Sequence, residues 1–262
     1  MSSNIVIPAG KIYFDPFGAA GAKTGERYLG CTPGGAINVE TETVEIYCAD
    51  SPLPTLLDEV PTKNKQTGTI TCDDISDDNL ALFFIADKAT VTQSGGAVVG
   101  EAINGVLQDR HYQLGASASN PTGVRVVSAV SVTDDVPSPA FTVDVDYSVD
   151  LALGRIYIIA GGGIADGTNL LVDYTAAANG RVQLTTTKTP KKLYGSLRFI
   201  ADNAVGANHD IYAPKVLLRP NGEMTFKRTA NGTEQMQIPL AFSVVEPDDG
   251  TATCLFVDGR PV

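Results

Sequence analysis

The chain is poor in the residues that most binding and catalytic sites use. Its 262 residues include no tryptophan and two histidines, and only 19% of them are charged. Lysine and arginine number 19 against 30 acidic residues, which gives a net charge of −11. Because nucleic-acid binding depends on basic side chains that neutralise phosphates, this balance argues against a nucleic-acid-binding protein.

Long apolar segments are also missing. The longest plain apolar run is LALFFIA (80–86), which is far shorter than the roughly 20 residues of a membrane-spanning helix. The first residues, MSSNIVIPAGK, have neither a positively charged start nor an apolar stretch after it. We therefore expect no signal peptide and no membrane span.

The cysteines follow no metal-binding or redox pattern. They show no CxxC spacing and have no histidine nearby in the sequence, so we expect reduced, mostly buried thiols in a cytosolic protein. A disulfide between two of them remains an open alternative. The four are Cys31, Cys48, Cys72 and Cys254.

No group of residues suggests catalysis. His111 and His209 do not have metal-ligand spacing, and the chain contains neither GxSxG nor HExxH. The glycine-rich stretch IAGGGIADG (159–167) lacks the GK[ST] ending of a phosphate-binding loop, which favours a hairpin turn. The sequence therefore predicts a protein that is not an enzyme and that uses no cofactor and no metal.

One stretch is typical of a helix. In DDISDDNLALFFIAD (73–87), Ser76 is a good N-cap, because its hydroxyl can accept from free backbone N–H groups. Leu80, Phe83 and Phe84 follow the i, i+3, i+4 spacing of a buried stripe. Such a stripe must cover a sheet, since the rest of the chain reads as strands and turns.

The remaining sequence predicts an all-β fold with this one flanking α-helix. Between 95 and 187 the chain becomes rich in small residues, and short runs such as RVVSAVSV and GRIYIIA are typical of a compact β-sandwich. We therefore expect a discontinuous core domain, 1–95 and 188–262, with a small β-sandwich domain, 96–187, inserted into it.

Two acidic residues on one predicted strand stand out. Glu40 and Glu42 in NVETETVEIY fall on the same face, although acidic residues are depleted in strands. A solvated strand face explains them most simply. The alternative is an acidic wall that faces a passing polyanion.

A long polar segment follows that strand. Residues 57–66, LDEVPTKNKQ, mix both charge signs around a proline and are not needed for a core. We expect a loop here, and loops of this length are usually functional or disordered. The central part of this segment is Asp58, Glu59, Val60, Pro61, Thr62, Lys63, Asn64 and Lys65.

The order of these segments resembles a known family. A VETETVEIY strand, the segment LLDEVPTKNKQ, a TGTIT strand and then DDISDDNLALFFIAD are similar to the major tail tube proteins of bacteriophages with long, non-contractile tails. SLRFIADNAVGANHDIYAPKVLLRPNGEM and the closing FVDGRP resemble the second half of that family. The resemblance covers roughly residues 10–95 and 188–262, and residues 96–187 fit it as an insertion carried by some members.

The resemblance implies a fold and a role. The fold would be a tail-tube-type antiparallel β-sandwich or barrel, whose subunits form hexameric rings that stack into a tube. DNA would pass through an acidic channel without specific binding, with Glu40 and Glu42 facing the lumen and 58–65 lying between rings. The partners would be further copies of the chain, the tape measure protein and the tail terminator and tip proteins. The protein would assemble in the host bacterial cytoplasm and reside in the virion tail.

The alternative function belongs to another structural class. A capsid decoration protein or a tail-tip adhesin would use the inserted sandwich to bind a host glycan. An exposed aromatic cluster between 95 and 187 would favour that alternative, but the aromatic residues there are spaced like core residues. They are Tyr112, Phe141, Tyr147, Tyr157 and Tyr174.

Overall fold

The protein is an all-β molecule with a single helix along the part of the chain that its structure describes, as the sequence predicts. The structure is a computed structural model, and it describes residues 5–18, 21–50, 52–135, 140–189, 191–233, 235–248, 250 and 253–260. The helix α1 is Asp77–Phe84. In chain order the strands are β1 (Gly10–Pro16), β2 (Arg27–Tyr28), β3 (Gly34–Cys48), β4 (Thr55–Cys72), β5 (Asp87–Gln93), β6 (Gly96–Val106), β7 (Arg110–Gln113), β8 (Val127–Asp134), β9 (Tyr147–Asp150), β10 (Arg155–Ile158), β11 (Thr168–Ala176), β12 (Asn179–Thr185), β13 (Leu193–Ala201), β14 (His209–Pro220), β15 (Ile238–Val244) and β16 (Phe256–Gly259).

The chain divides into two compact units. Unit 1 comprises residues 1–88 and 184–262, and unit 2 comprises residues 89–183. The sequence predicts the same discontinuous arrangement with boundaries a few residues later at each junction. The difference arises because β5 and β12 pair with each other as a two-stranded sheet, and the division falls inside both strands.

Unit 1 is built on one antiparallel sheet of eight strands. Its order is β2-β1-β13-β14-β15-β4-β3, and β16 pairs with β14 beside this path. Leu240 lies opposite Ile70, and Ile238 lies opposite Cys72. All four side chains are almost fully buried, because alternate residues of each strand point to the core face.

The sheet of unit 1 is strongly curved but open. An apolar groove of about 460 Å³ on its core side is lined from β1 by Gly10 and Ile12 and from β3 by Gly34–Ile37. The two strands face each other across this groove, yet they form no pairing among the described residues. The sheet is therefore not a closed barrel, and its end strand β3 keeps a free edge.

Unit 2 has a core of its own. One three-stranded sheet has the order β7-β10-β9 and the other has the order β6-β11-β8. Buried residues from both sheets form one cluster, which includes Val106, Val132, Ile156, Ile158 and Val172. Two sheets that share one apolar core make a small sandwich.

The helix confirms the predicted cap and corrects the predicted packing. The Ser76 hydroxyl accepts from the Asn79 N–H at 3.3 Å. However, the buried residues of α1 are Asn79 and Leu82, whereas Leu80 and Phe83 are only partly buried. Phe84 is 46% exposed. Of the predicted stripe, Leu80 and Phe83 do pack against the core of unit 1, whereas Phe84 lies on the surface. The prediction missed the two fully packed positions, Leu82 and the polar residue Asn79.

Asn79 can be buried although it is polar, because its side chain forms three hydrogen bonds. Its amide donates to the backbone carbonyls of Leu29 and Asp74, both at 2.8 Å. Its carbonyl oxygen accepts from Arg27 Nη1 at 2.8 Å. Burial lowers the pKa of the Arg27 guanidinium, but Asn79 still supplies it with an acceptor. The helix thus fixes the segment around β2 against the core.

The cysteines are reduced, as predicted, but most of them are not buried. None of the four forms a disulfide, and only Cys72 is buried. Burial raises the pKa of the Cys72 thiol to about 11, so it stays protonated at neutral pH. Cys31 is exposed, while Cys48 and Cys254 are half-buried, because these three lie at or beyond the ends of strands and not on the core face.

Replacing Asn79 with leucine should destabilise unit 1 by about 3 kcal/mol, because two carbonyls and a guanidinium lose their partner. Ser76→Ala removes only the cap and should cost about 1 kcal/mol. Urea unfolding measures both free energies. Equal losses in the two variants would contradict a structural role for the Asn79 amide beyond the helix itself.

Gly68 provides a second test of the sheet. A Cβ at this position would lie 2.3 Å from the backbone oxygen of Ala36 and 2.4 Å from Phe242 Cζ. Gly68→Ala should therefore cost about 1–3 kcal/mol of unfolding free energy. Gly259→Ala is the matched control, because no heavy atom lies within 4 Å of its added Cβ. A Gly68→Ala protein as stable as the control would show that Phe242 does not pack against this strand.

Candidate assembly surface

The most unusual feature of unit 1 is a long hairpin that leaves the sheet. β4 pairs with β15 only from Thr67 to Cys72. Beyond that point β3 and β4 pair with each other alone, as far as Cys48 opposite Thr55. We call this extension, residues 39–66, the arm. At about 3.3 Å per residue it is roughly 35 Å long.

The described residues of this arm are exposed, except for Cys48 and Gln66, which are half-buried. Every residue of β3 from Gly34 to Tyr47 is exposed, and so is every residue of β4 from Thr55 to Lys65. Several exposed side chains are large and apolar: Val39, Val44, Ile46, Tyr47, Leu53, Leu56, Leu57 and Val60. Because a lone two-stranded ribbon is at best marginally stable in water, such a surface is typical of an interaction site.

The arm also carries the free edge of the sheet. β3 is 15 residues long and pairs only with β4, so along its other side the backbone N–H and C=O groups have no strand partner within the described chain. The opposite end of the sheet is β2, which has two residues. An open edge of this length is a template for adding a strand from another molecule.

The predicted loop at 57–66 was wrong. Residues 58–65 all belong to β4, which runs without interruption from Thr55 to Cys72. Pro61 does not break the strand, because it lies opposite Thr43 next to a register shift that leaves Thr62 unpaired. Proline is tolerated at such a bulge, where its missing N–H costs no ladder hydrogen bond.

Glu40 and Glu42 lie on the same face, but lysines accompany them. Lys63 lies opposite Glu42 with a nitrogen–oxygen distance of 2.6 Å, and Lys65 lies opposite Glu40 at 3.9 Å. All four side chains are more than half exposed, so each pair contributes little to stability. The face is therefore a set of compensated pairs and not the purely acidic band that β3 alone suggests.

Further along the arm, two glutamates face each other and neither has a lysine opposite it. Glu45 lies directly opposite Glu59, and like charges in this position repel each other. The Tyr47 hydroxyl donates to Glu45, and this hydrogen bond, together with the charge of Glu59, raises the pKa of Tyr47. Sequence reasoning missed this pair, because only the register of the hairpin places the two residues face to face.

The aromatic residues of unit 2 do not form an exposed cluster. Tyr147 and Tyr174 are buried, and Tyr112 and Phe141 pack against the core. The Tyr157 ring lies beside the His111 ring, with their centroids 4.7 Å apart. The surface that the adhesin alternative requires is thus not seen among these residues.

The described residues contain neither a metal-binding cluster nor a membrane-spanning helix. No group of three or more histidine, cysteine, aspartate or glutamate residues is placed to hold a metal ion. No helix there is long and apolar enough to cross a membrane.

The comparisons place the chain in a family. Residues 5–245 match the family described as protein of unknown function UCP028589, and the chain belongs to that family. The match covers all of unit 2 and most of unit 1. No curated protein matches the chain.

Proposed function

We propose that this protein is a structural subunit that polymerises as stacked hexameric rings into the tail tube of a long-tailed, non-contractile bacteriophage. The observation that carries the proposal is the arm, an exposed apolar hairpin beside an open sheet edge. A protein that stayed monomeric would leave both unprotected in water. The kind of assembly proposed follows from the order of segments, which resembles that of tail tube proteins.

Closing a ring requires no active site. An identical head-to-tail contact repeated around an axis forms a ring. Pairing of the free edge of β3 with a neighbouring copy would satisfy backbone groups that one copy leaves open. The tape measure protein and the tail terminator and tip proteins would be its other partners. It would assemble in the host cytoplasm and remain in the virion tail.

The proposed channel would let DNA pass without holding it. A protein of net charge −11 repels phosphate overall. The Glu40–Lys65 and Glu42–Lys63 pairs would present phosphate with both signs at close range, so neither attraction nor repulsion dominates there. In this arrangement DNA meets no deep binding site.

Negative-stain microscopy of the purified protein and of virions tests the proposal. Tubes with a regular ring repeat are the expected result. Isolated globules at all concentrations would contradict it. Particles bound at capsid positions would favour the decoration-protein alternative.

Shortening the arm should stop polymerisation without unfolding the protein. Replacing residues 43–62 with Asn-Gly joins Glu42 to Lys63, which already lie opposite each other, through a two-residue turn. Because the removed residues are exposed, urea unfolding should change by less than about 1 kcal/mol, while sedimentation should show no tubes. Lys192→Gln, at an exposed position of unit 1 outside the arm, is the control. Normal tubes from the shortened protein would exclude the arm from assembly.

A charge reversal tests the proposed lumen position. Changing Glu40 and Glu42 to lysine would place them beside Lys63 and Lys65 and create a basic patch that holds phosphate. DNA ejection from such virions should be slower at low salt and recover at high salt, because phosphate contacts release counterions. Glu40→Gln with Glu42→Gln is the control, since it adds no positive charge. An unchanged ejection rate at low salt would place these residues away from the DNA path.

A further inference from the structure

A second exposed segment of unit 1 has a net charge of +1, from Lys227 and Arg228 against Glu223, whereas the arm has six acidic residues against two lysines. Residues 221–233, between β14 and β15, form no strand or helix, and we call them the basic loop. Phe226 in this loop is 89% exposed, and Lys227 and Arg228 beside it are also exposed. Within the described chain neither basic residue forms an ion pair.

The basic loop is held in place although its tip is exposed. Met224 packs against the core of unit 1. The Asn221 N–H donates to the Pro239 carbonyl at 3.0 Å. An anchored loop that presents phenylalanine, lysine and arginine to solvent is the kind of surface that protein interfaces use, since aromatic residues and arginine are enriched there.

The register of the sheet puts the basic loop and the arm at opposite ends of unit 1. The loop leaves β14 after Pro220 and enters β15 at Ile238, which lies opposite Cys72. The arm leaves the sheet at the other end of the same β4–β15 pairing, beyond Thr67 opposite Ser243. The basic loop of one copy therefore cannot cover the arm of that same copy along the sheet.

The arm has the properties that complement this loop. Glu45 and Glu59 face each other without a lysine between them. Near its tip Leu53 is 82% exposed and Leu57 is 65% exposed. A lysine or arginine from outside would relieve the repulsion between the two glutamates, and an outside phenylalanine would cover the leucines.

From these observations we infer that the distal arm of one copy packs on the basic loop of a second copy. Lys227 and Arg228 neutralise Glu45 and Glu59, and Phe226 packs among the leucines of the arm. Because the two surfaces lie at opposite ends of unit 1, the contact is head-to-tail and can repeat without limit. The inference rests on the proposed function, and it names the surface that receives the arm.

Charge reversal in both surfaces tests the contact. The arm variant is Glu45→Lys with Glu59→Lys, and the loop variant is Lys227→Glu with Arg228→Glu. Each variant alone should raise the protein concentration needed for polymerisation by about tenfold or more, because like charges then meet at the contact. A chain with all four changes should polymerise near the wild-type concentration. An equal mixture of the two double variants should do so as well, because their copies can alternate. Sedimentation velocity measures association from dimers to tubes.

Control variants distinguish a specific contact between the two surfaces from a general effect of net charge. Lys188→Glu with Lys192→Glu makes the same change in net charge at two other exposed lysines of unit 1 and should polymerise as the wild type does. Phe226→Ser changes no charge and should weaken polymerisation, and far-ultraviolet circular dichroism checks that every variant is folded. If the loop variant polymerises normally, or if the fourfold change fails to restore polymerisation, the contact is wrong while the proposed function stands. A wild-type protein that remains monomeric at every concentration would overturn both.

Discussion

The free edge of β3 is the constraint on which the rest of the structure depends. Backbone N–H and C=O groups must find partners, and a 15-residue strand with one open side leaves a whole row of them to water. The arm makes the constraint stronger, because it extends this edge beyond the sheet and places apolar side chains on both of its faces. By contrast, β4, β14 and β15 bury their core residues within one copy. Unit 1 therefore buries these core residues within a single copy but leaves the edge of β3 without a partner strand.

The helix shows how a polar residue can set packing that apolar patterning does not reveal. Asn79 is fully buried and joins two backbone carbonyls and Arg27, so α1 is held through directional bonds as well as through Leu82. Phe84 remains on the surface. The helix packs on the core of unit 1 through Leu82, and the hydrogen bonds of Asn79 tie it to Arg27 of β2 and to the Leu29 carbonyl.

Local chemistry predicted the fold class, the Ser76 cap and the discontinuous first unit, because each depends on residues close together in the sequence or on broad composition. Strand pairing between residues that are far apart in the sequence could not be predicted in this way. Pro61 and the charged residues around it are typical of a loop, yet β3 supplies a partner for each side of the bulge and keeps β4 continuous. For the same reason the lysines opposite Glu40 and Glu42, and the repulsion between Glu45 and Glu59, became visible only with the register. The position of the basic loop relative to the arm likewise follows from strand order and not from any motif.

The way the chain enters and leaves unit 2 has an evolutionary consequence. β5 and β12 carry the chain in and out and are hydrogen-bonded to each other, so the two junctions are neighbours. The apolar residues of unit 2 form a cluster distinct from that of unit 1. A gene could therefore gain, lose or exchange this segment by recombination at two adjacent points without altering the hydrogen-bonding order of the larger sheet. Relatives of very different lengths could in this way share one core, and the segment is a natural position for grafting foreign domains.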